Sequence, residues 1–402
     1  MAVKAKEYIP TPVTHEIQAT ALAVCIASNV SAVIWGPPGA GKTATLSAIT
    51  KANNLHLEQI LASTKEPPDF AGFPYIHDGV MRLAPPAWSH NINRVYAENK
   101  QLSVAFFDEL STAVPATQAA VLTTILDRKA GESQMPMGTR MIAAANPPKI
   151  AANGWDLTPP MANRFTHLDW ELDAKTIARG LQLGWKSPEI PRLPSTMRAL
   201  VRNAEILVGS YIESAPSSIE YDFSKWSGNS SSQEFRASNN AWPSARSWTT
   251  AAKLFAAATA ARMPDKSPLH DDVKRILLEG TIGVAQATQF LAYAEKLDLP
   301  NPVDLLNNPS SWTLPPRGDQ ISATLASVQH EASIHRAKDI YPQIWLAWGD
   351  LITIVVNAGK GDVALAFAQD WLRNRPHGTG MSQRHSDAFG PLHKSFENLE
   401  IG

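Results

Sequence analysis

Eight residues, Gly36-Pro37-Pro38-Gly39-Ala40-Gly41-Lys42-Thr43, carry the spacing G-x-x-x-x-G-K-[ST]. Each fixed position answers a demand that a polyphosphate makes. Glycines let backbone N–H groups turn inward around an anion without a side-chain clash. Lys42 has the reach for β- and γ-phosphates, and the Thr43 hydroxyl is a ligand for Mg²⁺. The flanks fit: residues 30–35 read as a buried strand. Residues 44–53 read as a helix whose positive end, beginning at Ala44, faces the anion. The whole stretch from Gly36 through Ala44 is therefore expected to bind a nucleotide.

A second site needs carboxylates. Leu102-Ser103-Val104-Ala105-Phe106-Phe107-Asp108-Glu109 is an apolar strand ending in two of them, the Walker B form. A buried parallel strand delivers Asp108 at its C-terminal edge, where it holds Mg²⁺ through water or through the shell of Thr43. Glu109, one residue further, is suited to orient and deprotonate an attacking water. Residues 139–145 form a third buried strand, ending at Asn146-Pro147-Pro148. Asn146 either positions that water beside the phosphate loop or caps a turn, as Asn before Pro often does.

The elements that must position these groups alternate between strand and helix. A helix over 13–29, with Thr14 as N-cap, leads into the first strand. A strand is expected at 55–61, helices at 87–99 and 115–128, and a last strand at 166–170. Five strands alternating with helices imply a doubly wound parallel sheet. His77-Asp78-Gly79-Val80 looks like a hairpin turn, and 129–138 reads as polar and turn-like. Beyond 184 the chain is helical: 195–212, 244–262, 270–297 and 320–373, with Trp345, Trp348 and Trp371 on apolar faces. Residues 213–240, rich in Ser and Asn, read as a mobile loop, and the tail from 377 as loosely held.

Composition narrows the function classes. Of 402 residues, 44% are hydrophobic and 18% charged, with a net charge of -1. There is no global basic field to recruit nucleic acid or an anionic membrane. The single cysteine, Cys25, excludes an internal disulfide framework and a Cys-based zinc site, and it reads as a small core residue. The start of the chain lacks the apolar region of a signal peptide, and no apolar run reaches 18 residues, so a cytoplasmic protein without membrane insertion is expected.

Taken in order, Gly36–Thr43, Phe107-Asp108-Glu109-Leu110, Ala144-Ala145-Asn146-Pro147 and Ala162-Asn163-Arg164-Phe165 resemble an AAA+ ATPase, and within it the MoxR-like branch related to chelatase ATPase subunits. The run from Pro115 to Arg128 looks like that branch's helix. The resemblance implies ATP with Mg²⁺ and a ring assembled from copies of the chain, a hexamer. It makes Asn146 the sensor 1 residue and Arg164 an arginine finger acting in the neighbouring subunit's site. Read from the residues alone, Arg164 also fits a structural arginine paired with a carboxylate. Trp242-Pro243-Ser244-Ala245-Arg246 is similar to the sensor 2 motif, making Arg246 a candidate for the γ-phosphate in its own subunit. The hairpin near 75–83 matches an insert that faces the ring's central region. Ser111-Thr112 departs from the pattern, since many MoxR-like proteins carry Asn-Arg there.

The expected organisation is an AAA+ core over 1–183, a helical lid over 184–300 and a C-terminal helical region with a tail over 301–402. The expected function is Mg-dependent ATP hydrolysis coupled to remodelling of a client protein, and the resemblance suggests a von Willebrand factor A domain protein as that client. Two alternatives stand beside it: a motor acting on nucleic acid or in a defence system, and a nucleotide switch that does not hydrolyse. No DNA-binding module favours the first, and the pair Asp108 and Glu109 argues against the second.

Overall fold

A computed structural model describes residues 14–147, 154–185, 189–219, 241–296 and 299–397. Pro148 and most of the Ser/Asn-rich stretch expected as a loop lie outside these residues. The chain divides into two compact units, one of residues 1–197 and 219–288, the other of 198–218 and 289–402.

The first unit opens with α1 (His15–Ala27), β1 (Ala32–Trp35), α2 (Lys42–Ala52) and β2 (His56–Leu61). Next come α3 (Pro68–Ala71), β3 (Phe73–His77), β4 (Val80–Ala84), α4 (Ala87–Asn99), β5 (Ser103–Asp108) and α5 (Pro115–Asp127). The expected turn region forms a small hairpin instead, β6 (Lys129–Ala130) and β7 (Ser133–Gln134), and leads to β8 (Arg140–Ala145), α6 (Pro159–Ala162), β9 (Thr166–Asp169) and α7 (Ala174–Leu183). Strands of two residues leave no periodicity in a sequence, so that hairpin had no pattern to show.

Five strands pair in parallel in the order β2-β5-β8-β1-β9. The three inner strands β5, β8 and β1 are covered on both faces and carry continuous apolar runs rather than alternation, whereas the edge strands β2 and β9 keep polar residues. Ile34, Phe106 and Ala144 face one core with Leu22 and Trp170, while Val33, Phe107 and Ala143 face the other with Trp88 and Phe165. Cys25 is fully buried in the first of these. The register pairs Trp35 with Ala145 and Leu61 with Asp108. The next residues, Gly36, Asn146 and Glu109, therefore leave the sheet at the same edge.

Helices α8 (Met197–Ser214), α9 (Ala245–Ala260) and α10 (Asp271–Ile282) follow. Ser244 caps α9 through a reciprocal bond with Ser247, and Leu254, Ala257, Val273 and Leu277 join the core beneath α1.

The second unit is helical: it takes α8 from Arg198 on, α11 (Val284–Lys296, which begins in the first unit), α12 (Pro302–Asn307), α13 (Gly318–Ile334), α14 (Tyr341–Asn357), α15 (Gly361–Arg373) and α16 (Gln383–Glu397). Trp345 and Trp371 stack with centroids 4.2 Å apart, and each donates its Nε1 to the other's carbonyl, at 2.8 and 2.7 Å. Gly349 makes room for this pair: a Cβ there would lie 2.5 Å from the Trp371 ring. The tail departs from expectation, because α16 is ordered and buries His385 and Phe389 against Trp371.

Candidate functional site

The phosphate loop begins where β1 ends. A Cβ on Gly36 would sit 2.5 Å from the Trp170 carbonyl oxygen, so only glycine fits. Gly39 and Gly41 have φ of 80° and 71°, the left-handed region that glycine adopts freely. α2 then starts at Lys42 with no side-chain cap on its N-terminal donors, which leaves the positive end of the helix directed at the loop.

Lys42 is buried, and its Nζ donates to the Gly36 carbonyl at 2.6 Å, the Pro37 carbonyl at 3.0 Å and Asn146 Oδ1 at 2.9 Å. Burial lowers its pKa, and the charges of Asp108 and Glu109 oppose that shift. Lys42 and Asn146 thus already meet at the loop.

Thr43 Oγ1 donates to Asp108 Oδ2 at 3.1 Å. The same oxygen accepts from Gln59 Nε2 at 3.1 Å, and Oδ1 accepts from the Glu109 N–H at 3.0 Å. One hydroxyl and one carboxylate in contact are a hard oxygen pair of the kind Mg²⁺ takes when phosphate and water complete its shell. Among the described residues no group of three or more His, Cys, Asp or Glu side chains could hold a metal ion by itself.

Glu109 follows the strand with φ 55° and ψ 38°, a left-handed conformation that costs a non-glycine residue about 1 kcal/mol or more. Its Oε2 accepts a 2.7 Å hydrogen bond from Ser63 Oγ, in the short turn after β2. Asn146 is held through its backbone by Ser111, whose Oγ accepts from the Asn146 N–H at 3.0 Å and donates to the Asn146 carbonyl at 2.9 Å. Ser111 is completely buried. Gln59, Ser63 and Ser111 were not singled out as site residues from the sequence. Their polarity is ordinary, and only the register of β2 and β5 and the turn after Glu109 give them these partners.

Arg164 follows α6. Its Nε is buried without a hydrogen-bond partner among the described residues. Burial lowers the Arg164 pKa, neighbouring Arg246 lowers it further, and Asp127 opposes both. The positive charges of the two arginines expected to serve different active sites thus oppose one another. Asn163 ties the same turn to the start of α9: its Nδ2 donates to Ser244 Oγ at 2.8 Å, and its Oδ1 accepts from the Trp242 N–H at 3.1 Å.

His167 links this turn to the phosphate-loop strand. Trp35 Nε1 can only donate, so His167 Nδ1 accepts at 2.9 Å. Nε2 then carries the proton and donates to the Ala162 carbonyl at 2.7 Å. Burial pushes the pKa of this ring down to about 4, against the pull of that carbonyl.

The β3–β4 hairpin turns at Asp78 and Gly79, both with positive φ. Ile76 and Met81 pair across it and are 80% and 72% exposed. Its base is fixed to the β6–β7 hairpin by close approach of Gly72 to Gly131, by the Glu132 N–H donating to the Leu83 carbonyl at 3.2 Å, and by an Arg82–Glu132 ion pair at 3.2 Å.

Comparison with known proteins bears on the same segment. Residues 32–168 match the family described as ATPase family associated with various cellular activities (AAA), so the chain carries an AAA ATPase domain from β1 into β9. No curated protein matches. Solved structures that resemble the chain include a candidate ATPase from Cytophaga hutchinsonii, at 13% identity and TM-score 0.42 over 70% of this chain and 92% of that one. A full-length MCM homolog from Methanopyrus kandleri shares 13% identity at TM-score 0.35, over 72% and 63%. A RuvB variant from Thermotoga maritima shares 13% at TM-score 0.28, over 83% and 87%. Likeness this loose carries no argument about activity. No helix among the described residues is long and apolar enough to cross a membrane.

Proposed function

We propose that the chain is a cytoplasmic ATPase of the MoxR-like branch that hydrolyses ATP with Mg²⁺ in a ring, a hexamer, and remodels a client protein. The observation that carries this reading is the meeting of Lys42, the Thr43–Asp108 pair, Glu109 and Asn146 at one edge of the parallel sheet. Phosphoryl transfer asks little of a protein beyond positioning and charge, and each of these groups supplies one or the other. Lys42 exchanges carbonyl partners for phosphate oxygens. Thr43 and Asp108 would hold Mg²⁺, which supplies charge to the β- and γ-phosphates. Asn146, fixed by Ser111, orients the attacking water. Glu109 takes that water's proton once it turns from Ser63.

Arg164 is the residue through which subunits would depend on one another. An arginine supplied from outside a nucleotide site speeds hydrolysis by about 10³ to 10⁵-fold in other nucleotide hydrolases. Arg246, at the start of α9, would reach the γ-phosphate in its own subunit. In this reading 1–183 is the core, 184–300 the lid and 301–402 an appended helical region. The exposed apolar tip at Ile76 and Met81 meets the client, for which a von Willebrand factor A domain protein is the family's suggestion.

Particle mass tests the assembly. With ATP, Glu109→Gln is expected to form a ring. Arg164→Ala in the same background is expected to assemble too, but with Glu109 restored it should lose at least a hundredfold in turnover. A monomer under all conditions would overturn the shared site and leave a nucleotide switch.

A further inference from the structure

The second unit holds a cleft that the nucleotide chemistry does not use. Its volume is about 500 Å³, and it lies where α14 begins and α15 has ended. Four basic side chains line it: Arg336, Lys338, Arg375 and His377. Tyr341, Pro342 and Pro376 give it an apolar floor, and Asp339 is the carboxylate among its described lining residues.

The charge in this cleft is poorly balanced. Lys338 Nζ is 3.2 Å from His335 Nδ1, and Arg375 Nε donates to the Thr379 carbonyl at 2.6 Å, so neither contact supplies a negative charge. Arg336 has Asp370 at 3.9 Å, the outer limit of an ion pair. The Tyr341 hydroxyl donates to the Asn374 carbonyl at 2.9 Å and accepts from Arg336, which brings that guanidinium over the floor. The positive end of the 17-residue helix α14 enters the cleft at Tyr341 and Pro342. Three permanent cations and the helix end therefore outweigh Asp339 in the lining and Asp370 beyond it, and an anion with several oxygens can be shared among the cations. The volume is within the roughly 300–1,000 Å³ of small-molecule sites, larger than a bare phosphate needs.

We propose that this cleft binds a small phosphate monoester, with the phosphate held by Arg336, Lys338 and Arg375 and the organic part lying on Tyr341, Pro342 and Pro376. Guanidinium groups suit the phosphate because they bond its oxygens in pairs.

Calorimetry at low salt tests this with phenyl phosphate as the probe and inorganic phosphate and benzoate as comparators. The full-length Lys42→Ala chain is used, so that the phosphate loop does not contribute. Phenyl phosphate is expected to bind more tightly than either comparator. Arg336→Ala and Arg375→Ala are each expected to weaken it by about tenfold or more, with unchanged circular dichroism, and Asp339→Asn to strengthen it. In the wild-type chain the two arginine substitutions should remove the same component, which keeps the test independent of the folding of Lys42→Ala. No saturable binding, equal affinity in the arginine variants, or benzoate matching phenyl phosphate would overturn the proposal.

Discussion

At the phosphate-loop edge, Lys42 divides its ammonium among two carbonyls and Asn146, Asp108 accepts from three donors, and Glu109 rests on Ser63. In the helical bundle, Trp345 and Trp371 each give their single donor to the other's carbonyl, in a pair that is completely buried. Contacts of the first kind are interchangeable, because phosphate oxygens, water and a metal ion satisfy the same groups equally well. Contacts of the second kind have no substitute in reach. The sheet edge is thus arranged for exchange of partners, and the bundle for permanence.

The contrast breaks first, and most severely, in the bundle. Trp345→Ala is expected to cost about 3–5 kcal/mol, as truncation of a large buried aromatic does, and to leave the Trp371 carbonyl without the indole N–H from which it accepts. Chemical denaturation should show this loss while nucleotide affinity stays within twofold. A parallel loss of nucleotide affinity would mean that the two regions are not independent.

His167 gives a smaller effect with a defined pH window. Its ring is protonated near pH 6.5 when unfolded but only near pH 4 in the native chain. The unfolded state therefore binds the proton first. Native stability is full above pH 6.5 and falls as the pH drops towards 4, by at most about 3 kcal/mol. His167→Gln should remove that part of the slope in denaturation series between pH 7 and 4. An unchanged slope would assign acid sensitivity to other groups.

Ser63→Ala sharpens the contrast with the smallest change. If the Ser63 hydroxyl holds Glu109 aside, its loss should raise basal ATP turnover about two- to fivefold, the scale of a net hydrogen bond of 0.5–1 kcal/mol. A fall in turnover would show instead that Ser63 helps to place the carboxylate for catalysis.

Much of the sheet edge was legible in the sequence because its chemistry is concentrated at strand ends. Gly36–Thr43, Asp108-Glu109 and Asn146 each follow a continuous apolar run, and parallel pairing brings such ends together without further information. The His77-Asp78-Gly79 turn was legible because two successive residues with positive φ call for Asp and Gly. The positioning residues were not. Ser63 lies 46 residues from Glu109 and Ser111 lies 35 from Asn146, and neither type announces a partner at that distance. His167 reads as a strand residue until register sets it against Trp35. The helix α16 was hidden by its polar composition: His385 is buried by a 3.0 Å bond to Asp350, a partner on another helix that no local pattern reveals.

The most direct measurement compares ATP affinity and steady-state turnover in the wild-type chain and in Glu109→Gln. A base held at the sheet edge, separate from the phosphate contacts of Lys42, should leave affinity within about threefold while turnover falls by about 10² to 10⁴-fold. Retained turnover, or a loss of affinity as large as the loss of turnover, would contradict the role given to Glu109.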